Sequence, residues 1–267
     1  MIIKVIKKAV KFVTKPVRKV LGWLFKMPDM PDAAAVMVEK QGSDHSIPVV
    51  YGTRKIGVIK VHKYVTDLPG GAENELLHLI CVLCEGDIDA IEEVFFDGVS
   101  EHDQRWRKDK NNPNSAKWFT VHRYLGAANQ PASAPAVSAI PNWTNNHTLN
   151  GLAYLYVVLQ MDKDQSIWRG EPEITARVRG RKIFDPRTNT TAFSTNPAIQ
   201  LLDYLQNPIY GKGLNQNRLD LPSFIAAANF ADETLNSTVI VNGVPTPFSH
   251  KRFTGNQVVD TGKSVFS

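Results

Sequence analysis

Residues 178–233 read VRGRKIFDPRTNTTAFSTNPAIQLLDYLQNPIYGKGLNQNRLDLPSFIAAANFADE, and this stretch organises the reading of the whole chain. Upstream of it, Ile174 to Val178 alternates apolar and polar residues at the period of a half-buried strand, and Gly180 is expected to turn the backbone. Asp185-Pro186-Arg187 is turn chemistry. Asn196 before Pro197 predicts an N-cap with proline at the first helical position, where the missing N–H is no loss. Ile199, Leu202 and Leu205 then follow at spacings that place them on one helical face, which Leu201 widens. Asn207-Pro208 stops that helix, because the residue before proline is pushed out of the helical region. A tight loop through Tyr210, Gly211 and Gly213 follows, with positive φ expected at one or both glycines. Asp220 then caps a short alanine-rich helix from Leu221 to Phe230. None of this carries a reaction centre. It is scaffold.

Working outward, Ile47 to Val65 is enriched in β-branched and aromatic residues and reads as strands with a break at Thr53 to Lys55. Leu68-Pro69-Gly70-Gly71 is a turn. Leu76 to Cys84 and Ile88 to Phe96, on either side of Glu85-Gly86-Asp87, read as neighbouring antiparallel strands. Gly151 to Met161 and Trp168 to Val178 are two more. Between them, residues 99–150 are polar and then rich in alanine, serine and proline, with a strand from Trp118 to Tyr124. This reads as a long surface excursion between strands of one sheet.

The chain resembles a known family through an ordered set of segments. These are IPVVYGTRKIGV at Ile47 to Val58, LHLICVLCEGDIDAIEEVFFDG at Leu77 to Gly98, GLAYLYVVL at Gly151 to Leu159, RGRKIFDPRT, AFSTNPAIQLLDYLQNPIYGKGL, and the final helix ending in Ala-Asp-Glu. The set is similar to the central tail-tip hub proteins of long-tailed bacteriophages, the J-like family. The segments themselves read as an α+β, β-rich fold, a β-barrel or sandwich domain with a small helical unit, and the resemblance implies that the barrel-like part is of the tail-tube class; the N-terminal amphipathic helix is read from residue spacing and is not part of the family pattern. The resemblance implies a structural virion protein, a homotrimer on the tail axis that joins tail tube to distal tip and forms part of the channel for DNA ejection. The implied partners are the distal tail protein, the tape-measure protein and the other tail-tip proteins. The implied place is the virion tail tip, with assembly in the host bacterial cytoplasm, and no cofactor is required.

The expected division is 1–28 as a basic amphipathic arm, 29–46 as a linker, 47–190 as the β-rich hub domain with the insertion 99–150, 191–235 as the helical unit, and 236–267 as the start of a further hub domain. Thr238 to Val244 and Phe253 to Ser267 look like new strand and helix starts, so the sequence reads as the N-terminal portion of a longer hub.

Composition bounds the remaining classes. The chain has 267 residues, 43% hydrophobic and 21% charged, with a net charge of +5. The basic excess sits in the first 28 residues, which hold Lys4, Lys7, Lys8, Lys11, Lys15, Arg18, Lys19 and Lys26 and no acid. The rest is slightly acidic, so the body is not read as a general nucleic-acid binder. In the arm, Ile6, Val10, Val13, Val17, Leu21 and Leu24 fall on one helical face with Lys7, Lys11 and Lys15 on the other, and Pro16 kinks it. That face is a candidate contact with other copies or tip proteins. A membrane surface anchored by Trp23 and Phe25, or passing DNA, are the alternatives.

Cys81 and Cys84 form a CxxC without a second pair. In an extended strand residues three apart point to opposite faces, so the pair is read as core rather than as a metal or redox site. His102, His122 and His147 are scattered, and Glu92, Glu93 and Asp97 read as a solvated strand edge. The common phosphate, dinucleotide, serine-hydrolase and zinc-protease motifs are absent from the sequence. The chain is therefore read as non-enzymatic, with a tail-associated cell-wall hydrolase as the alternative that a peptidoglycan hydrolysis assay separates.

Overall fold

A computed structural model describes residues 40–41, 46–70, 75–162, 166–241 and 244–260. The N-terminal arm, with Ile6, Val10, Val13, Val17, Leu21, Leu24, Lys7, Lys11, Lys15 and Trp23, lies outside the described residues, as does the helical start expected at 261–267. The strands in chain order are β1 (Lys40–Gln41), β2 (Val49–Tyr51), β3 (Thr53–Gly57), β4 (Ile59–Thr66), β5 (Leu76–Glu85), β6 (Ile88–Phe96), β7 (Val99–Ser100), β8 (Phe119–Leu125), β9 (Leu152–Gln160), β10 (Ile174–Asp185), β11 (Thr190–Phe193), β12 (Thr234–Val241), β13 (Val244–Lys251) and β14 (Gln257–Val259). The helices are α1 (Ala134–Ala139), α2 (Pro197–Gln206) and α3 (Leu221–Asp232). The protein is α+β and β-rich.

The described residues form two compact units, one of residues 40–195 with 256–260 and one of Asn196–Gly255. In the first, one sheet has the order β1-β4-β5-β9-β8. The other has the order β11-β10-β6-β7, with β3 also on β10. β14 pairs with β2.

Leu77, Leu79, Cys81 and Leu83 of β5 and Leu155, Val157 and Leu159 of β9 share one buried cluster with Ile56, Val94, Phe96, Ile174, Ala176 and Val178 of the other sheet. This is the core. The opposite face of β5 is also covered: Ile80, Val82, Tyr154 and Tyr156 pack with Ala136, Ile140 and Trp143. Burial on both faces explains the nearly continuous apolar run of β5, which alternation alone would not produce.

Four expectations change. β5 and β6 are not paired: β5 lies between β4 and β9, and β6 between β10 and β7, so the chain crosses from sheet to sheet around Gly86. Cys81 and Cys84 do not fall on opposite sides. A bulge between Val82 and Cys84 against β9 resets the alternation, and both thiols join the same core. The insertion 99–150 is not confined to the surface. Trp106 and Phe119 enter the core between the sheets, and α1 covers the far face of the first sheet.

Finally, Gly180 does not turn the chain, because β10 runs through it to Asp185. A Cβ there would stand 2.1 Å from the Val50 carbonyl oxygen, so glycine is required by close backbone approach.

In the second unit, Asn196 accepts hydrogen bonds from the backbone N–H groups of Ala198 and Ile199 at the start of α2 and donates from Nδ2 to the Ala228 carbonyl of α3, 2.9 Å away. One side chain thus caps one helix and ties it to the next. Asp220 accepts from the Ser223 N–H at the start of α3. The compact division of the described residues falls at Asn196 and Gly255. β12 and β13 continue the helical unit, and β14 returns to the β unit.

Candidate interaction surfaces

Several of the described side chains able to do chemistry have structural partners. Cys81 and Cys84 are free and buried, and burial pushes both thiols up to about 12, away from reactive thiolate. His78 is buried between the hydroxyls of Thr66 and Tyr156, each 2.8 Å from a ring nitrogen, and desolvation lowers its pKa. His122 stacks on the same tyrosine from the other side strand, His147 on Trp143, and His102 stands in solvent. Among the described residues no three His, Cys, Asp or Glu side chains cluster as metal ligands.

Of the acids read as a solvated strand edge, Glu92 on β6 is exposed, while Glu93 on β6 and Asp97 just after it are engaged. Glu93 accepts from the Ser100 hydroxyl at 2.5 Å and pairs with Arg177 at 3.3 Å, and Asp97 accepts from the Glu173 N–H at 2.8 Å. Glu101 is buried, accepts from the Val94 N–H at 2.9 Å and pairs with Arg123 of β8, so a carboxylate of the insertion joins the two sheets. Glu171 holds both Lys60 and Lys63 at 2.5 Å. Burial raises its pKa, and hydrogen bonds from the two lysines outweigh that and hold the carboxyl below its ordinary range.

On the outward face of the second sheet, β10 presents Arg177 and Arg179 two residues apart. Arg177 lies 5.6 Å from the Phe95 ring centroid, and Lys55 lies 3.7 Å from the same ring. Arg179 pairs with Asp89 at 2.8 Å and stacks 4.5 Å over Phe193. Lys182 pairs with Asp87 at 3.1 Å. Each guanidinium is pinned by an acid and a ring while part of it stays in solvent. The sequence carried its signal in the period-two arginines of ITARVRGR, which the reading above used only to find the strand.

No protein-family model and no curated protein matches the chain. Among solved structures, it is similar to a chain of "Virion of native gene transfer agent (GTA) particle", with a TM-score of 0.41 and 13% sequence identity, covering 84% of this chain and 49% of that one. The chain thus spans about half the length of that neighbour. At this level the likeness carries no functional argument.

The predicted glycine loop is a helix terminus. After α2, the N–H groups of Lys212, Gly213 and Leu214 donate to the carbonyls of Tyr204, Asn207 and Leu205, satisfying groups the helix leaves open. Gly213 has φ +60, and a Cβ on Gly211 would stand 1.8 Å from the Tyr204 oxygen. Tyr210 closes the loop through a 2.7 Å hydrogen bond to Asp203.

Proposed function

We propose that this chain is a structural virion protein, the central hub of a phage tail tip, joining tail tube to distal tip and lining part of the path for DNA ejection. The observation that carries this reading is the ordered set of resembling segments. They coincide with the elements that build the fold: IPVVYGTRKIGV spans β2 and β3, the Leu77 to Gly98 segment spans β5 and β6, GLAYLYVVL is β9, and the later segments are β10, β11, α2 and α3. A match in loops alone would say little. That the segments follow the core, in order, supports the reading.

The occupied side chains fit the same reading, since a mechanical component needs a satisfied core and adhesive surfaces rather than a poised nucleophile. Copies would close around the axis as a homotrimer, against the distal tail and tape-measure proteins, because a closed ring is the ordinary way for identical subunits to surround a channel. Receptor engagement would alter the hub and open the path for DNA.

The test is mass spectrometry of purified particles. Peptides of this chain are expected in the tail fraction at a fixed ratio to the tube protein, in multiples of three per particle. Their absence from washed particles would overturn the reading.

A further inference from the structure

The segment from Gly126 to Asn150 holds no Asp, Glu, Lys or Arg, and His147 is its one titratable side chain. Through Ala136 of α1, Ile140 and Trp143 it covers the outer face of the first sheet. The face beneath is built of histidine and tyrosine among apolar residues. His62 and Tyr64 stand on it from β4, His78 from β5, Tyr154 and Tyr156 from β9, and His122 and Tyr124 from β8. Four of the seven histidines of the chain thus meet at one layer contact.

Charged side chains of the same strands are engaged elsewhere. Lys63 pairs with Glu171 and Arg123 with Glu101, while Asp67 and Glu75 stand past the ends of β4 and β5. At the rim, Lys108 reaches Gln160 at the end of β9, and Glu85 at the far end of β5 feels Arg181. The histidines are grouped on two rings instead. His78 and His122 reach Tyr156 from the strands on either side of β9, with ring centroids 6.0 and 5.5 Å away. His62 and His147 both pack on Trp143, at 5.5 and 4.7 Å.

A proton is poorly received in this layer. His78 is 3% exposed with its ring nitrogens on the hydroxyls of Thr66 and Tyr156, and desolvation lowers its pKa and that of His122. The Nε2 of His62 is buried without a hydrogen-bond partner, so a cationic ring there adds an unpaired donor. His147 accepts the Thr144 N–H at Nδ1, 2.9 Å away, and a proton on that atom removes the acceptor. A ring face attracts a cation, but for His78 and His122 the direction of the shift shows that desolvation is the larger effect.

We propose that this contact is an acid-released latch: when its histidines take up protons, residues 126–150 lift off the first sheet while the core between the two sheets stays closed. That core contains no histidine. The base of the segment is held by an uncharged group, because Gln130 accepts the Gly126 N–H at 2.9 Å and donates to the Leu149 carbonyl at 3.0 Å. The cover therefore opens as a loop hinged at its own ends. This device is independent of where the chain sits in a particle.

The direction follows from linkage. A histidine kept neutral in the closed layer binds its proton more readily in the open one, so the latch is whole above the ordinary 6.5 and weakens as pH falls below it. Glu171 acts in a lower window, below 4.5, so the two responses separate.

The test is hydrogen–deuterium exchange of the full chain at pH 7.5 and pH 5.5, corrected for the intrinsic exchange rate. One unit below 6.5, each histidine that stays neutral in the closed layer favours opening by up to about tenfold. Peptides of 126–150 are expected to exchange at least about tenfold faster at pH 5.5, with β5 and β9 unchanged. The double variant His78→Gln, His122→Gln should lose most of this acceleration, and His102→Gln, whose ring stands in solvent, should keep it. His122 is half-buried, so His122→Gln alone carries the test if the substitution at His78 prevents folding, and it should lose part of the acceleration. Three results would overturn the proposal: equal corrected exchange of 126–150 at both pH values, acceleration shared equally by β5 and β9, or acceleration undiminished in the His122→Gln variants.

Discussion

The indole of Trp106 lies nearly flat against that of Trp168, ring centroids 4.8 Å apart and planes 17° from parallel. One comes from the insertion and the other from the segment that leads into β10, and Phe96 and Phe119 pack edge-on or tilted around them. Each indole nitrogen is satisfied by a carbonyl, Ser100 for Trp106 at 2.8 Å and Gln160 for Trp168 at 2.9 Å. The insertion is thereby built into the core.

Trp168→Ala should accordingly destabilise the protein by about 3–5 kcal/mol, the range for emptying a buried aromatic site. Chemical denaturation measures this as a lower midpoint with little change in slope. A loss below about 0.5 kcal/mol, the scale of an ordinary surface substitution, would mean that the stack is not part of the core.

The loop after α2 gives a prediction with two unequal halves. Gly213→Ala places a Cβ at φ +60 and should cost about 1 kcal/mol, with its nearest neighbour only at the edge of contact. Gly211→Ala drives a Cβ into the Tyr204 carbonyl and should cost more, about 1–3 kcal/mol, as overpacking does. Thermal denaturation of the two variants orders them. A more stable Gly211→Ala protein would contradict this geometry.

Glu171 makes stability depend on acid. Its folded pKa is held below the ordinary 4.5 by Lys60 and Lys63, so the unfolded chain binds its proton more readily. The stabilisation is fully present above about pH 4.5 and is lost as pH falls through the lower, folded value. Glu171→Gln should flatten that part of the stability–pH profile and leave Lys60, whose side chain is 7% exposed, without its carboxylate. An unchanged acid limb in a denaturation series from pH 6 downward would contradict the assignment.

How far the sequence could be read depends on whether the signal was local. Asn196-Pro197, Asn207-Pro208, Asp220 and the Asp185 turn were legible because caps and turns depend on residues a few positions away. The pairing of β5 was not, since an apolar run of strand length says that both faces are buried but not by what. The Cys84 bulge was hidden for the same reason: Cys81 and Cys84 share a core because Ala153 and Tyr154 set the register from another strand. Trp106 looked like part of a polar loop because its neighbours Arg105 and Arg107 are charged, and the rings that bury it, Phe96, Phe119 and Trp168, come from other elements. The candidate surfaces divide similarly. The period-two arginines of β10 were visible, but the Asp89 and Phe193 that pin Arg179 belong to other strands.

The central claim is the place of this chain in a particle. Cryo-electron microscopy of purified virions carrying an epitope tag after β14, decorated with the matching antibody fragment, tests it most directly. The account predicts density on the tail axis at the end away from the head, repeated three times around that axis. Label on the head, along the tube, or at a single off-axis position would contradict it.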